Sequence, residues 1–320
     1  MRFLVTGGAG FIGSHLCDLL IDNGHSVHVL DDLSTGEIEN IAPLARHPSF
    51  DCTIASVAER GVVAGLIGGV DAVIHLAAAV GVRLVVESPV RAIETNVRCT
   101  EVVLAQADIQ KKPVMIASTS EVYGKSEALP FREDGDLQMG ATSKARWAYA
   151  CSKAIDEFLA MAYWRERKLP ITVVRLFNTV GPRQTGNYGM VVPRLVGQAL
   201  AGEPLTVYGD GRQTRCFCHV ADVVRALHAL LDKQSAWGNV FNVGSTEEVS
   251  IIELARRIVA LTGSDSRVSL TPYDEAYGPG FEDMYRRVPD IAKVRELIGW
   301  SPSRSLEDII TDVAAGLRRA

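Results

Sequence analysis

The sequence predicts an α/β fold built on a doubly wound parallel sheet, followed by a smaller C-terminal part. Three observations carry this expectation. Short β-branched runs alternate with helix-length segments through the first half. Those runs are apolar at nearly every position, as in strands covered on both faces. A cluster of glycines closes the first run and opens the first helix.

Taken in order, strands are expected at Phe3–Thr6, Val27–Asp31, Phe50–Ala55, Ala72–His75, Val114–Ser118 and Ile171–Arg175. Helices are expected between them, for example at Gly13–Asn23 and Ala150–Glu166. Right-handed crossovers between parallel strands then wind the sheet from its centre outward. After Asn178 the texture changes, because Gly181-Pro182, Gly186-Asn187, Gly202, Pro204, Gly209-Asp210-Gly211 and Pro272 to Pro279-Gly280 punctuate shorter elements. The expected division is therefore residues 1–177 for the sheet domain and mainly 178–320 for a smaller one. Residues 213–243 are expected to return to the first, since Phe217–Leu231 and Val240–Val243 read again as sheet and helix.

A chain of 320 residues with 47% hydrophobic and 22% charged residues can bury a large core without staples. Its net charge of −5 argues against nucleic acid as a main partner, because phosphate neutralisation needs a basic face. Cys17, Cys52, Cys99, Cys151, Cys216 and Cys218 are scattered through apolar segments, which suits reduced thiols in a cytoplasmic protein. Cys216-Phe217-Cys218-His219 has no second ligand pair nearby, so it reads as alternate residues of a buried strand and no metal is expected. The strand pattern begins at Arg2, which leaves no expected room for a signal peptide. No apolar run reaches the length of a membrane span, so no membrane partner is expected.

Thr6-Gly7-Gly8-Ala9-Gly10-Phe11-Ile12-Gly13 places Gly7, Gly10 and Gly13 between a strand and a helix. Such spacing serves a tight turn, a close backbone approach to a pyrophosphate and close helix–strand packing. The helix N-terminus, with Phe11 and Ile12, then faces the phosphates. Asp31, at the end of the second strand, is placed to accept both ribose hydroxyls and disfavours an added ribose phosphate. The loop therefore reads as a Rossmann-like site for NAD, against the alternative of a structural turn without ligand. Asp32, Ser34, Thr35 and Gly36 are expected along the adenosine side, and Ser56 and Val57 beside the adenine.

Tyr149-Ala150-Cys151-Ser152-Lys153 puts a phenol and an ammonium on one helix face. A cation near the phenol lowers its pKa toward that of a general base. Ser118-Thr119-Ser120-Glu121 ends a central strand, where the crevice of such a sheet opens. Thr119 is expected to bond a reacting hydroxyl, with Ser120 and Glu121 further along; the bland alternative for Glu121 is a solvated loop acid.

The glycine loop, Asp31, His75-Leu76-Ala77-Ala78, Ser118–Gly124, the Tyr149/Lys153 pair and Arg175–Pro182 together resemble the extended short-chain dehydrogenases/reductases. These are nucleotide-sugar epimerases, dehydratases and decarboxylases, and the resemblance covers essentially the whole chain. It implies that bound NAD oxidises C4 of a sugar while Tyr149 takes the hydroxyl proton and Lys153 supports it. Leu76, Ala77 and Ala78 would border the cofactor. Asn178, Val192, Thr206, Tyr208 and Arg215 would hold the nucleotide, a UDP group. A homodimer through the helix of Tyr149 is also implied, using the Ala154–Trp164 face.

Thr119-Ser120-Glu121, Gly202–Gly209 and Lys144–Tyr149 are similar to the matching stretches of UDP-glucuronate decarboxylases. So is Tyr277–Pro289, in which Tyr277 and Arg287 would meet the substrate, Arg287 at its carboxylate, while Ser120 and Glu121 manage proton delivery at C5. An arginine in this region also binds nucleotide phosphates across the wider family, which leaves that role open for Arg286 or Arg287. The alternatives to decarboxylation are 4-epimerisation of a UDP-hexose or UDP-uronate and 4,6-dehydration. A non-catalytic NAD sensor would usually lack Tyr149 or Lys153, and both are present.

Overall fold

The computed structural model describes residues 1–81, 88–186, 190–277 and 282–318. Its central sheet has seven strands: β1 (Arg2–Thr6), β2 (Ser26–Asp31), β3 (Phe50–Ile54), β4 (Ala72–His75), β5 (Val114–Thr119), β6 (Ile171–Leu176) and the strand Asn239–Val243. Across the sheet the order is Asn239–Val243, β6, β5, β4, β1, β2, β3, and every neighbouring pair is parallel. The order reverses between β1 and β4, which is where a crevice opens beyond the C-terminal strand ends. The strands expected in the first half are present with ends shifted by about one residue. Helix α1 (Phe11–Asp22) starts earlier than expected, because Gly10 is already its extended N-cap.

Both parities of the strands are apolar because both faces are covered. Phe3 and Val5 meet Leu16 and Leu20 of α1 and Val223 and Leu227 of the helix Val220–Leu231. Leu4 points the other way, into a core with Val63 of α2 (Arg60–Ile67), Val103 of the helix Pro89–Gln110 and Ala160 of the helix Trp147–Arg167. A third core joins Leu195, Leu205, Val207, Leu254, Ile258 and Ile309 from the second half.

Within residues 213–243, Val220–Leu231 and Asn239–Val243 lie on and in the large sheet. Thr214–Cys216 instead pairs with Glu248–Ser250 outside it. Ile291, Val294 and Trp300 also pack back onto the first core. Cys216 and Cys218 are buried, and His219 caps the following helix by accepting the Ala221 N–H at 3.0 Å. Among the described residues, no helix is long and apolar enough to cross a membrane.

Candidate active site

A cleft of about 460 Å³ follows the C-terminal strand ends and continues between the sheet and the third core. Its first arm is built by the glycine turn. Gly7 adopts φ +71°, and a Cβ there would strike the Ala77 backbone. A Cβ on Gly13 would strike the Gly7 carbonyl oxygen, so glycine is required at both positions. Gly7, Gly10, Phe11, Ile12 and Gly13 all line this arm, where the first N–H groups of α1 are available to an anion. Asp31 is buried at the end of β2 and accepts N–H bonds from Ala9 and Leu33, each at 2.9 Å. Each carboxylate oxygen retains a lone pair for a hydroxyl. Burial pushes the Asp31 pKa up, opposed by those backbone N–H groups.

Asp32, Ser34, Thr35, Ser56 and Val57 complete the same end, and Leu76, Ala77 and Ala78 line the passage inward. Gly36 lies behind that lining and packs on Asp31, where a Cβ would come within 3.0 Å of Oδ1. Its small size lets the loop close over the acid. The glycine cradle, helix terminus and hydroxyl-accepting acid fit an NAD-type dinucleotide. Gly13→Val is expected to abolish NAD binding in a fluorescence titration while far-UV circular dichroism shows a folded chain. Wild-type affinity in that variant would exclude the cradle.

β5 ends at Thr119, whose Oγ1 accepts the Glu121 N–H at 3.2 Å and closes a single 3₁₀ turn, Ser120–Tyr123. That turn presents Thr119, Ser120 and Glu121 to the cleft, opposite Tyr149 and Lys153 from the helix Trp147–Arg167. Thr119 faces the Tyr149 phenol and acts to lower its pKa. Lys153 has a second neighbour besides that phenol. Lys153 Nζ donates to Asp156 Oδ2 at 2.8 Å, with the two side chains 3% and 0% exposed. A buried ammonium requires a counter-ion, and the residue one turn onward supplies it. Burial first, and then the Glu121 charge, raise the Tyr149 pKa above its ordinary value.

Glu121 is not a solvated acid. Arg146 is ion-paired to its Oε2, and Arg287 Nη1 lies 3.4 Å from its Oε1. Burial would raise the Glu121 pKa, but Arg146, Arg287 and Arg215 override it and hold the carboxyl down to about 2. At neutral pH Glu121 carries no proton to deliver, so its expected part in proton delivery gives way to orienting arginines. Burial, then the nearby Arg215, bring Arg287 down to about 10, still a cation at neutral pH. Asp283 accepts from Arg215 at 2.7 Å and lies 3.7 Å from Arg146 and 3.9 Å from Arg287. Three arginines (Arg146, Arg215, Arg287) thus face two carboxylates (Glu121, Asp283), an excess of one positive charge on the cleft wall.

Asn178, Val192, Tyr208 and Arg215 line the same arm. Thr206 does not; it accepts hydrogen bonds from Arg194 and Gln198, and the Arg194 guanidinium lies 4.3 Å over the Tyr208 ring. Thr206 therefore supports the wall from behind. Tyr277 closes the helix Tyr273–Tyr277, but its side chain, like residues 278–281 of the expected substrate loop, lies outside the described residues. Arg146, Asp156, Arg194 and Asp283 were not expected at the site. Only Arg146 carried a local signal, as the residue leading into the helix three positions before Tyr149.

The family model described as GDP-mannose 4,6 dehydratase matches residues 4–313. The chain is 42% identical to the UDP-N-acetyl-alpha-D-glucosaminuronate decarboxylase of Bacillus cytotoxicus, over 96% of this chain and 94% of that one. It is 38% identical to UDP-glucuronic acid decarboxylase 1 of Xenopus tropicalis, over 96% of this chain and 70% of that one. Among solved structures, it is similar to the UDP-glucuronic acid 4-epimerase of Bacillus cereus in complex with UDP-glucuronic acid and NAD. That similarity has a TM-score of 0.90 at 29% identity and covers 100% and 99% of the two chains.

Proposed function

The chain belongs to the GDP-mannose 4,6 dehydratase family, among the extended short-chain dehydrogenases/reductases, and from that premise we propose that it is a UDP-glucuronate decarboxylase. It is an NAD-dependent enzyme acting on nucleotide sugars. The observation that carries the specific reading is the buried Arg146–Glu121–Arg287 group beside Thr119 and Tyr149. A cationic wall next to the reacting hydroxyl suits a sugar that bears a carboxylate.

Bound NAD supplies the hydride acceptor for C4 when the reaction begins. Tyr149 takes the 4-hydroxyl proton, with Thr119 beside its phenol. Oxidation at C4 makes the C6 carboxylate a β-keto acid. Arg287 holds that carboxylate while the C5–C6 bond breaks; CO₂ leaves, and the bonding electron pair becomes an enolate on the C4 oxygen. Thr119 and the protonated Tyr149 stabilise that oxygen, and C5 then takes a proton. Buried Ser120 stands nearest in sequence for that transfer, since Glu121 is held ionised.

The deciding experiment incubates the protein with NAD and UDP-glucuronate, UDP-glucose or dTDP-glucose and identifies products by NMR. Loss of C6 as CO₂ from UDP-glucuronate is expected; UDP-galacturonate with all carbons retained would replace this reading with epimerisation. A second substrate, the 2-acetamido uronate, is favoured by the 42% identity to the Bacillus cytotoxicus enzyme and belongs in the same assay.

Six unpaired cysteines suit a reducing, cytoplasmic setting for this enzyme. A homodimer is part of the same reading. Val90 and Ile93 of one helix and Ile155 and Phe158 of its packed neighbour are 67%, 40%, 49% and 67% exposed, an apolar face suited to a second copy. Phe158→Glu is expected to bring the mass in light scattering from twice 34.6 kDa to that of one chain. An unchanged dimer would move the interface elsewhere.

A further inference from the structure

We infer that Asp156 is the positioning residue of the catalytic pair: by holding the Lys153 ammonium in a buried ion pair, it sets how readily Tyr149 releases its proton. The inference rests on the reading of Tyr149 as the base. Its geometry begins with the 2.8 Å bond from Lys153 Nζ to Asp156 Oδ2, sealed from solvent at both ends. Lys153 therefore does not act as an uncompensated cation beside the phenol.

Beyond that bond, Asp156 Oδ1 is buried and has no hydrogen-bond partner among the described residues, so Lys153 is what anchors the carboxylate. Behind it lie Thr100, on the helix Pro89–Gln110, and His75, whose Nε2 is 3.2 Å from Thr100 Oγ1 and whose Nδ1 is 2.7 Å from Thr6 Oγ1. Burial, then the Lys153 charge, hold His75 down to about 3, so this ring brings no compensating charge to Asp156 at neutral pH.

The charged neighbours define the sign. Tyr149 faces Glu121, Asp156 and Arg146, with Lys153 one turn along its own helix. Asp156 faces Lys153, neutral His75 through Thr100, and its neighbour Glu157. Glu157 is already committed to Arg175 at 2.7 Å. Replacing the Asp156 carboxylate by an amide removes a negative charge near the phenol and leaves Lys153 uncompensated. Both changes favour the phenolate, so Tyr149 should ionise at lower pH.

The test compares Asp156→Asn with the wild-type chain in two ways. The first needs neither substrate nor turnover: near-ultraviolet phenolate absorbance is titrated in each protein, with the matching Tyr149→Phe spectrum subtracted. The Tyr149 ionisation is expected to fall by about one pH unit or more. The second follows C4 oxidation of the uronate in single turnover, where the acid limb should move down by a similar amount and Asp156→Glu should restore it. An unmoved phenolate titration with a uniform loss of rate at all pH would reduce Asp156 to scaffolding and overturn the inference. A moved titration in a chain that turns over no UDP-uronate would sink the functional reading and leave this one standing. Should Asp156→Asn fail to fold, Asp156→Ser removes the same charge in a smaller side chain and is expected to shift the same titration; no shift there overturns it equally.

Discussion

Tyr149→Phe is expected to lower turnover of the uronate by about 10³-fold or more, or ~4 kcal/mol of transition-state stabilisation. The substitution removes only the phenolic oxygen. The ring stays in its buried place against Ala79, Ala92 and Ala148, so the wall of the cleft keeps its packing. NAD affinity should therefore remain within about twofold of wild type, because the glycine cradle and Asp31 are untouched. Parallel measurements of CO₂ release and NAD binding check both halves. Turnover near the wild-type rate would remove Tyr149 from the chemistry.

The expected pH profile bears on the same assignment. Glu121 is held to about 2 and His75 to about 3, so neither changes charge near neutral pH. An acid limb in the rate near neutrality would then have to come from another group, and the proposed base Tyr149 lines the cleft beside Thr119. Its resting pKa is raised above the ordinary value, so the phenol is protonated at neutral pH and must gain its base character within the loaded site.

Arg287→Met is expected to cost about 10²-fold in kcat/KM for UDP-glucuronate, ~3 kcal/mol, and little for C4 oxidation of neutral UDP-glucose. The contrast between the two substrates is the informative part. A carboxylate partner affects only the uronate, whereas an arginine that serves the diphosphate would weaken both equally. Equal losses would therefore transfer the diphosphate role to Arg287 and leave the carboxylate to Arg146. Removing one member of a buried ion pair also destabilises the fold by about 3–5 kcal/mol, so thermal unfolding must be followed alongside. Glu121 keeps Arg146 as a partner in this variant, which limits that loss.

Much of the scaffold was legible because local rules suffice for it. Apolar runs of both parities announced strands buried on two faces, and Phe3, Leu4 and Val5 divide between the two cores accordingly. The glycines were legible from their spacing, since Gly13 packs on Gly7 within one loop, although Gly7 itself packs on Ala77 far along the chain. Gly36 and Thr206 show where such reading stops. Thr206 and Tyr208 share one side of a strand, and only the placement of Arg194 decides that Tyr208 meets the cleft while Thr206 supports that arginine.

By itself the sequence determined the parallel α/β sheet, the dinucleotide turn with Asp31, and the Tyr149–Lys153 pair beside the Thr119 strand end. Each rests on short-range spacing: a periodicity, a turn, or two residues one helical turn apart. Tertiary structure alone decided the charge state of the site. It brought Arg146, Glu121, Asp283 and Arg287 together from separate segments, and it paired Lys153 with Asp156. The physical reason is that a pKa depends on burial and on charges within a few ångströms, and those neighbours are chosen by packing between elements distant in the chain.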